Sequence, residues 1–160
     1  MQNDVRTLLI QGEDVTATEL NLLLENLGIR VSRARNYREA QVVLARLGPP
    51  PSVIFTDTVL TDGTWADVER LAKVQDPAVP VIVVSRVVNL RLYLDVLDGG
   101  ASDFIVPPFR DADVAHVVKG ALVGRMRGPS GLSRTIRDRR SEVIPDAQNH
   151  ADARIKAAHA

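Results

Sequence analysis

The chain has no cysteine among its 160 residues, so disulfides and thiolate metal sites are excluded. It has no excess charge of either sign: Lys+Arg and Asp+Glu number 20 each. That balance removes the electrostatic footprint of a chain built for polyanions. It has no apolar run near the roughly 20 residues that span a bilayer. Met1-Gln2-Asn3-Asp4 shows neither a basic start nor an apolar stretch, so no signal peptide is expected. There is no internal repeat. A cytoplasmic protein without membrane contact is the expectation. What the chain does have is apolar residues, 45% of the total, enough for a core.

The stretch that organises the rest is Val53-Ile54-Phe55-Thr56-Asp57. Four residues read as a buried strand, and a carboxylate stands where the apolar run ends. Around it, short apolar runs alternate with helical periods. Leu8-Leu9-Ile10 is a first strand. Thr16 with Glu19 reads as a capping box for a helix with Leu20, Leu23, Leu24 and Leu27 on one face, closed at Gly28. A second strand spans 29–34. Asn36 with Glu39 starts a second helix, with Ala40, Val43, Leu44 and Leu47 inward, ended by Gly48 and three prolines.

After Thr61-Asp62-Gly63, a third helix runs from about Trp65 to Val74, with Val68, Leu71 and Ala72 inward; Trp65 is read as packing. Val81-Ile82-Val83-Val84 is apolar on both faces, as a central parallel strand must be. A fourth helix spans about 88–98, closed by Gly99-Gly100. Phe104-Ile105-Val106 is the fifth strand, Asp111 is a cap candidate, and Val114, Val117, Val118, Ala121 and Leu122 face the core from a fifth helix. Five strand–helix units predict an α/β/α sandwich with a five-stranded parallel sheet. In such sheets, sites lie at the carboxyl ends of the strands, where Asp57 stands. Residues 1–127 read as the domain. Residues 128–160 read as a tail: a Gly-Pro-Ser-Gly linker, a basic patch at Arg134, Arg137, Arg139 and Arg140, and an Ala-rich end. The patch lacks aromatics and a helix-turn-helix pattern, so a solvated segment is preferred over a nucleic-acid contact.

The order of elements resembles the response-regulator receiver domain of two-component signalling. The resemblance covers about 6–125. It is carried by Arg6-Thr7-Leu8-Leu9-Ile10, Leu23-Leu24-Glu25-Asn26-Leu27-Gly28, Asp57 with Leu60-Thr61-Asp62-Gly63, Ser85, and Gly100-Ala101-Ser102-Asp103-Phe104-Ile105-Val106-Pro107-Pro108-Phe109. It implies a flavodoxin-like strand order, 2-1-3-4-5. It also implies a signalling module rather than an enzyme, in which Asp57 is the position that takes a phosphoryl group from a histidine kinase. Ser85 matches the hydroxyl, and Phe104 the aromatic switch. The family's chemistry uses Mg²⁺ held by an acidic pair, plus a lysine opposite.

Here the acidic-pair positions are Gln11 and Gly12, and the lysine position is Pro107. Glu13 is the candidate substitute acid. Arg86, where the family has a small residue, is the candidate cation for a bidentate pair with Asp57; the alternative leaves Arg86 in solvent. A cis bond is expected before Pro108. These departures predict a degenerate receiver without a cofactor that acts by protein–protein contact on a histidine kinase or output protein. A Mg²⁺-dependent phosphoacceptor is the alternative, and a nucleic-acid adaptor using the basic tail a third. Leu90, Leu94 and Leu97 are assigned to the core. Leu92, Tyr93 and Val96 are then expected on an outer partner face, for a homodimer through the fourth helix, fifth strand and fifth helix. His116 is expected at the surface; His150 and His159 fall in the tail.

Overall fold

The computed structural model describes residues 4–127. The expected tail, with its arginine patch, His150 and His159, lies outside the described residues. The chain runs β1 (Arg6–Ile10), α1 (Val15–Asn26), β2 (Arg30–Ala34), α2 (Tyr37–Leu47) and β3 (Val53–Asp57). A small hairpin follows, β4 (Val59–Leu60) and β5 (Gly63–Thr64). The rest is α3 (Trp65–Gln75), β6 (Val81–Val84), α4 (Leu90–Asp98), β7 (Asp103–Ile105) and α5 (Asp111–Arg127). Five strands form a parallel sheet in the order β2-β1-β3-β6-β7. Counted along these five strands, that is the predicted 2-1-3-4-5. The antiparallel β4–β5 hairpin is an addition.

Alternation along the central strands divides the core into two layers. Leu9, Val53, Phe55, Ile82 and Val84 pack with Leu20 and Leu24 of α1 and Val114, Val117, Val118 and Ala121 of α5. Leu8, Ile10, Ile54 and Val81 pack with Ala40 and Leu44 of α2 and Val68 and Ala72 of α3. All five residues of β3 are buried, which is why Val53, Ile54 and Phe55 are apolar on both faces ahead of Thr56 and Asp57. The edge strand β2 carries the exposed Arg30 and Arg33, charges that discourage pairing with another chain.

The helix ends show which local signals held. Asn36 caps α2 by accepting from Glu39 N–H at 2.8 Å, while the Glu39 carboxylate accepts from Arg35 N–H at 2.6 Å. Gly28 and Gly48 follow α1 and α2 with positive φ, 79° and 73°. The Thr16–Glu19 box is corrected. The cap of α1 is Asp14, whose Oδ1 accepts from Ala17 N–H at 2.9 Å, and the helix starts at Val15. Asp and Thr cap by the same bond, and the earlier of the two candidates wins. At α5 the Arg110 carbonyl accepts from Val114 N–H, so Asp111 lies inside the first turn rather than capping it. The bond before Pro108 is cis, as expected.

The phase predicted for α4 is also corrected. Val96 is fully buried, packed with Val83 and Ala101, and Leu92 lies half-buried against the same cluster with Trp65 and Phe104. Leu97 is buried as expected, while Leu90 and Leu94 are only half-buried. A helix apolar on several faces carries no local mark of which face turns inward; its contact with β6 and β7 decides.

Candidate functional site

Asp57 ends β3 beside Val84 of β6, at the carboxyl edge of the sheet, and is 7% exposed. A carboxylate so placed must be held by donors or be driven toward neutrality. Its donors come from the residues that follow β1. Gln11 Nε2 donates to Oδ1 at 2.8 Å, and Gly12 N–H donates to Oδ2 at 3.3 Å. Gln11 is itself buried, with its backbone N–H on Ala34 O. Its Oε1 has no hydrogen-bond partner. Burial raises the Asp57 pKa above its ordinary 3.8, and the Gln11 and Gly12 bonds pull against that rise. The two positions read as vacated acids are therefore the groups that grip the carboxylate.

Arg86 does not form the expected bidentate pair with Asp57. Its Nη2 bonds Asp14 Oδ2 and stands 3.8 Å from Asp57 Oδ2, with the side chain about half exposed. Asp14 is thus used twice: one oxygen caps α1, and the other ties the loop after β6 to that helix. Glu13, the expected substitute acid, faces the other way and pairs with Arg35 at 3.4 Å on the exposed surface. Asp62 accepts from Tyr37 N–H at 2.7 Å and Arg38 N–H at 2.9 Å. The Arg38 bond is the main cause that holds its pKa down; desolvation opposes it, and the Tyr37 bond adds a smaller pull downward. It serves α2 rather than Asp57.

Ser85 is buried next to Val84, but its hydroxyl donates to Val87 O at 2.8 Å within its own loop. Phe104 meets Tyr93 edge-to-face, with ring centroids 5.7 Å apart. Pro107, half-buried, follows β7 by two residues and brings no cation. His116 is exposed. Among the described residues, no three His, Cys, Asp or Glu side chains are grouped to hold a metal, and no helix is long and apolar enough to cross a membrane.

The family model for the response regulator receiver domain matches residues 7–119. The chain belongs to that family. Among curated relatives, it is 28% identical to the response regulator protein PilR of Pseudomonas aeruginosa over 78% of this chain and 27% of that one. It thus spans about a quarter of that relative's length. Among solved structures, the signal receiver domain of a signal transduction histidine kinase from Syntrophus aciditrophicus superposes with a TM-score of 0.64 and 29% identity, covering 79% of this chain and 96% of that one. The signal receiver domain of an HD domain-containing protein from Pseudomonas fluorescens gives a TM-score of 0.68 at 18% identity, over 79% and 100%, and shows the fold alone.

In this receiver domain the residue the sequence reading passed over is Asp14. Its signal was local: an acid just before a helical period, overshadowed by Thr16 and Glu19. The roles of Gln11 and Gly12 as donors had no sequence signal, because an amide and a glycine are silent about what they face. One expectation follows for Arg86. Its guanidinium is committed to Asp14 and half in water, so Arg86→Ala leaves the Asp57 titration close to that of the unsubstituted chain, read by carboxyl ¹³C NMR. A large upward move would make Arg86, not Gln11, the principal support.

Proposed function

We propose that this receiver domain of two-component signalling acts through protein–protein contact with Asp57 unmodified, and is not itself an enzyme. The observation that carries the reading is the double grip on Asp57. Both carboxylate oxygens already accept from Gln11 Nε2 and Gly12 N–H. Mg²⁺ requires several hard oxygen ligands in near-octahedral array. The groups that contact Asp57 are N–H donors, with a guanidinium beyond them, and even with the unpartnered Gln11 Oε1 this set falls short of the several oxygens a dication needs. No cation stands at Pro107 to neutralise a transferred group. The partner is a histidine kinase or an output protein, and a cytoplasmic setting fits this role. The half-buried Leu92 and Tyr93 remain available to a homodimer face with β7 and α5, though Val96 does not; elution that stays monomeric over a wide concentration range counts against it.

A second reading keeps Asp57 as a phosphoacceptor modified by a histidine kinase. What favours it is that Asp57 retains its carboxylate at the family's address, with the Arg86 charge 3.8 Å away. The third reading, nucleic-acid binding through the basic tail, concerns residues outside those described. Intact-mass analysis with a small phosphodonor, with and without Mg²⁺, separates the first two. The expected result is no adduct in either condition. A Mg²⁺-dependent adduct that disappears in Asp57→Ala establishes the second reading instead.

A further inference from the structure

The corner where α3 meets the turn between α4 and β7 is built around a second buried carboxylate. Glu69 lies on α3 with 5% exposure. Its Oε1 stands 3.1 Å from Lys73 Nζ, one helical turn on, and its Oε2 is buried without a hydrogen-bond partner. The turn passes close over this pair. A Cβ at Gly100 would lie 2.8 Å from Lys73 Nζ and 3.1 Å from Glu69 Oε1, and Gly100 has φ 100°. A Cβ at Gly99 would lie 2.5 Å from Trp65 Cη2. Gly99 therefore requires glycine for its closeness to the Trp65 ring, and Gly100 for its positive φ, since Lys73 Nζ is the mobile end of a half-exposed side chain.

The N–H groups of the turn have no bond to spare for Glu69. Gly99 donates to Asp95 O, Gly100 to Leu97 O, Ala101 to Val96 O and Ser102 to Val81 O. Lys73 is about half exposed, so water competes for its ammonium. Among the elements packed against this corner, α4 carries Arg91, Tyr93, Asp95 and Asp98, and β7 opens on Asp103. Further along the sheet, β3 ends in Asp57, and α2 carries Arg38, Glu39 and Arg46; β6 carries no charge. On α3 itself, Arg70 pairs with Asp67, which leaves Lys73 as the cation placed on Glu69.

We propose that this corner is a proton-sensitive joint: the charge state of Glu69 sets how tightly the α4–β7 turn seats against α3. Burial raises the Glu69 pKa above its ordinary 4.5, and Lys73 only partly offsets that. The folded state binds the Glu69 proton more tightly than the unfolded chain does, so the ionised form weakens the joint at neutral pH. The joint gains stability as pH falls through the folded-state value toward 4.5, with no further gain below. Trp65, Leu92 and Phe104 pack on one cluster of Val83, Val96 and Ala101, so the seating of the turn reaches Phe104 and its edge partner Tyr93. This input is separate from Asp57 and does not depend on how that site is used.

Trp65 is the single tryptophan of the chain, so intrinsic fluorescence reports on the corner. The full chain is titrated from about pH 8 to about pH 4.5, a range that brackets a raised carboxyl. The expected result is a Trp65 emission transition that is lost in Glu69→Gln, moved to higher pH in Lys73→Gln and retained in Asp57→Asn. Carboxyl ¹³C NMR assigns the same midpoint to Glu69. The proposal is overturned by a flat emission profile, by a transition that survives Glu69→Gln, or by a Glu69 midpoint at or below the ordinary value. If Glu69→Gln does not fold, the Lys73→Gln variant decides, since a midpoint that stays or falls overturns the joint.

Discussion

Gln11→Leu moves the Asp57 titration further up and lowers the unfolding free energy at neutral pH by about 1.5–3 kcal/mol, the range for a lost hydrogen bond to a buried charge. Leucine is a clean probe here. It has nearly the volume of glutamine, it keeps the backbone bond to Ala34, and the Oε1 that it deletes had no partner. What disappears is the 2.8 Å donor on Asp57, leaving Gly12 N–H at 3.3 Å. The pH dependence carries the sign. The folded-state pKa of Asp57 is raised, so ionised Asp57 costs stability, and the loss is recovered as pH falls from the folded value to the unfolded 3.8. In Gln11→Leu that window extends to higher pH. Urea unfolding across a pH series, paired with carboxyl ¹³C NMR, measures both effects. In an Asp57→Asn background the penalty shrinks, because no buried charge is left unsupported. An unchanged titration and an unchanged midpoint would remove Gln11 from the site.

Phe55→Ala costs about 3–5 kcal/mol, the usual range for emptying a buried aromatic position. Phe55 is fully buried on the central strand β3, in the layer shared with Leu9, Ile82, Leu20, Leu24 and the α5 valines. These neighbours sit on β1, β6, α1 and α5, each anchored by its own contacts, so they cannot close around the void. Against a typical total of roughly 5–15 kcal/mol, the loss takes a large share of the fold's stability. Chemical denaturation reads it directly. A loss below about 1.5 kcal/mol would mean that α1 and α5 collapse onto the sheet.

The parts of this receiver domain that could be read along the chain are those written in short-range patterns. Asn36 three residues before Glu39, Gly28 and Gly48 after helical runs, and the unbroken apolar stretches at 53–55 and 81–84 each specify a local geometry. The misreadings share a physical cause. At α1 two capping sets overlapped, and the bond itself chose Asp14. At α4 apolar residues on several faces left the phase open, and packing on Val83 and Ala101 turned Val96 inward. At the site, Arg86 had two carboxylates within reach, and Asp14 took it.

The sequence by itself determined the succession of strands and helices and the place of Asp57 at the end of β3. Hydrophobic period and turn chemistry act over a few residues and need no partner. Only the tertiary structure decided what touches that carboxylate. Gln11 lies 46 positions before Asp57, and Arg86 lies 72 after Asp14. Contacts over such separations exist only once the parallel strands have aligned their carboxyl ends. Which polar groups then meet there depends on side-chain direction and burial, quantities that residue type alone does not carry.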